Sequence, residues 1–149
     1  MVSIGTLKEF QKHYNEWKTR VSPLGKYAVT TRFNDKTSGG LTDMIVAFFE
    51  MYGLMCWRVD VQGTLREKDG RSFYATTKNS KGVSDLFTIV KGHFLAIEVK
   101  IGADIQSPKQ IEFEIDIRNQ GGSYMIAKTW NDFFTKFTNW YNTNFNEQE

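Results

Sequence analysis

Cysteine, histidine and proline are all scarce in this 149-residue chain, which has one, two and two of them respectively. With Cys56 alone, no internal disulfide can form and no zinc centre can be built from thiolates. A lone thiol suits a reducing compartment. His13 and His93 have no partners at metal-ligand or nucleophile–base spacing, so imidazole chemistry is not indicated. Repeats and low-complexity segments are absent. No apolar run approaches the ~20 residues that cross a bilayer. The opening "MVSIGTLKEFQKHYNEW" lacks the unbroken apolar centre of a secretory leader. The expectation is a cytoplasmic protein with no membrane partner. Charge of one sign is also scarce: the net value is +2. Nothing global therefore announces a nucleic-acid partner, and any electrostatic argument must be local.

What is present is core-forming material. Apolar residues make up 40% and aromatics 15% of the chain, enough for one folded domain of this length. Leu7, Phe10, Tyr14 and Trp17 fall at helical spacing in residues 6–20, and Ser22-Pro23 with Gly25 ends that helix. "NDKTSGG" reads as a loop. Residues 41–52, "LTDMIVAFFEMY", form a second helix, apolar on most faces and therefore central. "LMCWRVDV" alternates as a strand. Residues 62–82 read as a long polar connection rich in Arg and Lys, of a length that is usually functional. Two strands follow, joined at Lys91-Gly92. In "SPKQIEFEIDIRNQGG" the alternating Ile111, Phe113, Ile115 and Ile117 suggest a strand. The Ser107, Pro108, Gln110 start signature and the Gly121-Gly122 stop favour a helix, and the helix is preferred. "SYMIAK" is a short buried strand and "WNDFFTKFTNWYNTNF" a closing amphipathic helix. The expected fold is an α/β (α+β) mixed sheet flanked by helices, in the order ααβββαβα. It forms one domain over 1–149: an N-terminal helix within 1–25, a core over 41–130 and a C-terminal helix over 130–145.

The segment "KGVSDLFTIVKGHFLAIEVK" carries charge where a core is expected. If Lys91 and Gly92 are the central residues of a tight hairpin, Val90 faces His93, and the same register sets Asp85 against Glu98. Facing residues share a face with Cβ atoms about 4.5–5.5 Å apart. Lys100, two residues beyond Glu98, joins them. Two readings stand for this cluster. Lys100 alone compensates the carboxylates as an ion-pair network, or a hard divalent cation, Mg²⁺ or Mn²⁺, sits between them. The second arrangement suits phosphoryl transfer.

At these residues the chain resembles the PD-(D/E)XK nuclease superfamily, with its Asp at a strand start and Glu-X-Lys on the next strand. More narrowly, "GVSDL", "FLAIEVK", "SPKQ" and "GGSYMIAK", in that order, look like the VRR-NUC group. "DKTSGGLT" and "WRVD" upstream are similar to short stand-alone members carried by phages and mobile elements. The resemblance runs over about residues 34–135. It implies a restriction-endonuclease-like core in a bacterial or phage-infected cell. It also implies Mg²⁺-dependent hydrolysis of DNA phosphodiesters, leaving 5′-phosphate and 3′-hydroxyl ends. Asp85, Glu98 and the Val99 carbonyl would be the metal ligands, Lys100 the catalytic lysine, and Gln110 a group reaching toward water or phosphate. Many members also carry an acid early in the helix before the sheet. Here Asp43 and Glu50 are out of register, so a single metal is expected.

Each sharp reading has a plainer one beside it. Gln110 completes a capping box with Ser107. Arg58 is either a phosphate contact or an ion-pair partner of Asp60 or Asp43. Lys78 and Lys81 are either solvated surface or part of a DNA-binding arm beside Asp85. Ile111 and Ile115 point away from a sheet that Phe113 and Ile117 would face, which suits a homodimer through the 108–119 helix. No sequence-reading module is visible, so structured or branched DNA, of the junction or flap type, is the expected substrate. A non-catalytic DNA-binding scaffold on the same fold is the alternative. Glycoside hydrolysis by paired carboxylates fits Lys100 and the basic connection less well.

Overall fold

The computed structural model describes residues 4–59, 64–75 and 82–145. Helix α1, Leu7–Val21, opens on a capping box in which Thr6 and Glu9 each accept the other's backbone N–H. Helix α2, Ser38–Met51, starts three residues earlier than expected. Thr37 accepts the Gly40 N–H at 3.1 Å, and this cap turns Ser38-Gly39-Gly40 into the first helical turn. Gly40 is required there, because a Cβ would lie 2.0 Å from the Asn34 carbonyl oxygen of the loop folded back over it.

Strand β1, Cys56–Arg58, is followed by β2, Thr64–Lys68, and β3, Arg71–Ala75. The last two correct the expectation of a loop over 62–82 for residues 64–75; 62–63 and 76–81 lie outside the described residues. They pair antiparallel as a separate two-stranded sheet. Asp69 and Gly70 sit at the turn with φ of 56° and 72°, as a two-residue hairpin turn with both φ positive demands. Strands β4, Leu86–Val90, and β5, His93–Val99, lead to helix α3, Pro108–Asn119, then β6, Ser123–Ala127, and helix α4, Trp130–Phe145. A single 3₁₀ turn, Gly25–Tyr27, follows α1.

The main sheet has the order β1-β4-β5-β6, with β5 and β6 parallel and the other pairs antiparallel. The parallel pair needs a crossover, which α3 provides. The expected register between β4 and β5 holds on every rung from Val90↔His93 to Leu86↔Ile97. Lys91 and Gly92 form the turn with φ of 48° and 85°.

One face of the sheet carries Leu86, Val90, Leu95, Ile97 and Val99, buried with the apolar sides of α1, α2 and α4. Aromatic rings fill this layer. Phe48 lies within 5.2–6.5 Å of Phe10, Trp130, Phe133 and Phe137. Asp35 and Ile4 fix Trp130 by accepting its backbone and indole N–H groups at 3.0 and 3.1 Å. The aromatics of the first, second and last helices are thus core. The other face, with Phe87, Phe94 and Ala96, lies under α3, whose Phe113 ring sits 6.2 Å from Phe87 and 6.4 Å from Tyr124. Ile111 and Ile115 on α3 are 46% and 52% exposed, as the spacing predicts. The architecture is a mixed α/β fold of four helices around a mixed four-stranded sheet. Among the described residues no helix is long and apolar enough to cross a membrane.

Candidate metal centre at the end of the central hairpin

The ladder between β4 and β5 stops at Leu86↔Ile97, one rung short of Asp85. The Asp85 carbonyl accepts the Val59 N–H at 2.8 Å, and its carboxylate accepts the Val99 N–H at 2.8 Å. A side chain therefore occupies the place of the next backbone rung and holds the carboxylate at the strand end. In an extended residue the N–H and C=O point to the same strand edge, so the Val99 carbonyl lies on the Asp85 side.

Glu98 is on the α3 face and only 1% exposed. Its Oε1 accepts from Lys100 Nζ at 3.0 Å and from the Gln110 side-chain amide. Its Oε2 is buried without a hydrogen-bond partner. Burial, and then the charge of Asp85, push the Glu98 pKa up to about 7 against the opposing pull of Lys100. A buried carboxylate ordinarily satisfies both oxygens, so the orphan oxygen marks a place for a further electropositive partner.

Lys100 is 7% exposed. Burial lowers its pKa, but the hydrogen bond and charge of Glu98, joined by Asp104, more than offset that and the net shift is upward. The amine is thus a cation held between Glu98 and Asp104, whose carboxylate lies 3.5 Å away.

Two chain segments bring Gln110 onto this cluster. The Ser107 hydroxyl accepts the Gln110 N–H at 3.3 Å, and Gln110 Oε1 accepts the Ser107 N–H at 2.9 Å. The capping box is therefore real, and the same amide also reaches Glu98 through its nitrogen. Below it, Gly82 (φ 90°) packs so closely that a Cβ would lie 2.5 Å from the Lys109 carbonyl oxygen. That contact holds the approach to Asp85 against the first turn of α3.

The structure brings together Asp85, Glu98, Val99, Lys100 and Gln110. It does not bring Arg58 to them. Arg58 is opposite Leu86 in register, so it shares the core-side face, and it pairs with Asp43 at 2.9 Å as an exposed ion pair. Glu50 accepts from the Tyr14 hydroxyl at 3.5 Å. Lys78 and Lys81 lie outside the described residues. His93 is exposed at the hairpin turn, edge-on to Phe145. Cys56 is half-buried and burial pushes its thiol up to about 12, so it is an inert thiol.

Two participants were not foreseen. Asp104 arrives through a loop, with no periodicity to signal it. Tyr124 is opposite Ala96 across the parallel pair, and its hydroxyl is buried with no hydrogen-bond partner. Burial and then the charge of Glu98 raise its pKa, while Gln106 is near enough to act on it without hydrogen-bond geometry.

The donors at this site are all oxygen. Among the described residues no three His, Cys, Asp or Glu side chains converge. Two carboxylates, one of them with a buried unpartnered oxygen, and one backbone carbonyl fit Mg²⁺, which is commonly held by one or two carboxylates with the rest of its shell left to water and phosphate. The chain matches no protein-family model and no curated protein sequence.

Proposed function

We propose that the protein is a metal-dependent endonuclease that hydrolyses DNA phosphodiester bonds, acting on structured or branched DNA. The observation that carries this reading is the buried, unpartnered Oε2 of Glu98, in a carboxylate whose Oε1 accepts from Lys100 and Gln110 and which feels the charge of Asp85. Asp85, Glu98 and the Val99 carbonyl would hold Mg²⁺, with Mn²⁺ as a substitute. When bound, such an ion offsets phosphate charge and lowers the pKa of water. Lys100 supplies a fixed cation for the charge that builds on the scissile phosphate. Gln110, anchored by its own helix start, keeps the Glu98 carboxylate in one orientation. The exposed Ile111 and Ile115 suit α3 as the contact of a homodimer, which would set two sites on two strands. A dimeric mass at micromolar concentration is expected, and a monomer would end that part of the reading.

The purified protein is expected to cut flapped or four-way DNA in Mg²⁺ or Mn²⁺ and to stop on chelation. DNA binding without cleavage in any divalent ion, across linear, flapped and four-way substrates, would establish the scaffold role instead.

A further inference from the structure

Three of the four tryptophans are packed against other rings. Trp17 lies 5.4 Å from Tyr14, Trp130 stacks on Phe10 at 4.1 Å, and Trp140 sits 5.7 Å from Phe137. Trp57 is the exception. Among the described residues its indole makes no ring contact and no hydrogen bond, and the residue is 44% exposed. Trp57 stands on β1, the edge strand of the main sheet, directly opposite Phe87. Facing aromatics ordinarily stabilise a sheet by touching. Here Phe87 packs with Phe94 and Phe113 instead, at 5.2 and 6.2 Å. Helix α3 thus reaches over Phe87 through Phe113, and the indole one strand further out stays open.

The register sets Trp57 beside the acids. Phe87 shares the α3 face with Glu98, and Trp57, as the residue opposed to Phe87, shares it too. Asp85 precedes Phe87 by two residues, which makes it the diagonal neighbour of Trp57, about 7–8 Å away. Strand β1 stays alongside at that point, because Val59 donates its N–H to the Asp85 carbonyl at 2.8 Å. A large, flat apolar surface therefore flanks the candidate metal centre at a distance of about two base steps along a strand.

We infer that Trp57 is a stacking platform for an unpaired nucleobase next to the scissile phosphate, so that the substrate is DNA with an unpaired nucleotide at the cut. The inference rests on the nuclease reading, which it narrows. Every base has a π-face for an indole to cover, so stacking is tolerant of sequence. A base inside a duplex has both faces covered by its neighbours and must leave the stack to be reached. A base at a flap, fork or junction is already free. One exposed ring beside the cut then selects branched DNA without any sequence-reading element.

The test is single-turnover cleavage of a flapped duplex in Mg²⁺, read as the half-saturating protein concentration and the maximal rate. Wild type is compared with Trp57→Phe, which keeps a ring, and with Trp57→Leu, which keeps apolar bulk on the strand without one. On the substrate, each unpaired nucleotide beside the cut is replaced in turn by an abasic one. Trp57→Leu is expected to raise the half-saturating concentration about tenfold, as the loss of one stacked base does, and Trp57→Phe should stay close to wild type. With wild type, one abasic position should cause the same rise, and on that substrate Trp57→Leu should add nothing further. A linear duplex should compete equally well against all three proteins. The inference is overturned if no abasic position weakens the wild type, or if Trp57→Leu adds its full loss at every position. The abasic scan of the wild type decides the matter even where a variant folds poorly. A change of solution mass in Trp57→Leu would make the ring a subunit contact and also overturn it. If the wild type cuts flaps and Trp57→Leu matches it, only the role of Trp57 fails. If the wild type cuts no DNA, the nuclease reading falls and takes this inference with it.

Discussion

Lys100→Ala is expected to lower DNA cleavage by about 100- to 1,000-fold, the usual cost of removing one preorganised electrostatic donor from a reaction site. The amine is almost fully buried and already committed to Glu98 and Asp104. Its position is therefore set before any substrate arrives, and no reorganisation accompanies the build-up of charge. Losing the amine also leaves Glu98 without its cation, and a buried unpaired charge is destabilising. Glu98 responds by holding its proton more tightly, so the stability loss should be confined to pH above about 7, where the carboxyl would otherwise ionise. Single-turnover cleavage by Lys100→Ala, paired with unfolding curves at the same pH, separates the two effects. A folded variant that cuts within threefold of wild type would remove Lys100 from the chemistry.

Glu98→Gln should have opposite effects on stability and activity. In the folded protein the Glu98 pKa is raised from 4.5 to about 7. Between those values the folded protein keeps a proton that the unfolded chain has released. Wild-type stability therefore falls as pH rises through that window and levels off above it. The shift corresponds to about 3 kcal/mol. Glutamine imitates the protonated acid and escapes the loss. The metal-free variant should therefore exceed wild type by about that amount near pH 8 and match it near pH 5, as read by urea unfolding. Its Mg²⁺-dependent cleavage should fall, because an amide brings no negative charge to a cation. A variant less stable than wild type at the higher pH would mean that the Lys100 pair outweighs the cost of burial.

How much of this was legible in the sequence depends on the kind of signal. The central hairpin was readable because Lys-Gly between apolar runs fixes a two-residue turn, and one turn fixes every rung after it. In α3 the alternating isoleucines argued for a strand, yet local capping chemistry at Ser107, Pro108 and Gln110 decided the outcome. The β2–β3 ribbon was hidden because its strands are dense in charge. Asp69-Gly70 was the overlooked signal, a hairpin dipeptide that acts through backbone dihedrals and needs no apolar pattern. The start of α2 was misplaced because two glycines look like a loop, while Thr37 caps them as helix. Tyr124 and Asp104 depend on a parallel register and a loop path, which no short-range pattern encodes. Arg58 fell on the other face because its strand pairs with β4, an assignment that needs the tertiary fold.

Gln110 carries a consequence of its own. Its amide oxygen is held by Ser107 and its nitrogen by Glu98, so the two ends of one planar group join the first turn of a helix to the acid. Glutamate could keep the first tie but would set a second anion against Glu98, and asparagine, one methylene shorter, spans neither gap as well. A start shifted by one residue would swing the amide away by about 100°. The carboxylate is thus aligned only in molecules whose crossover has wound from the correct residue, and correct folding is checked at the point where chemistry would begin.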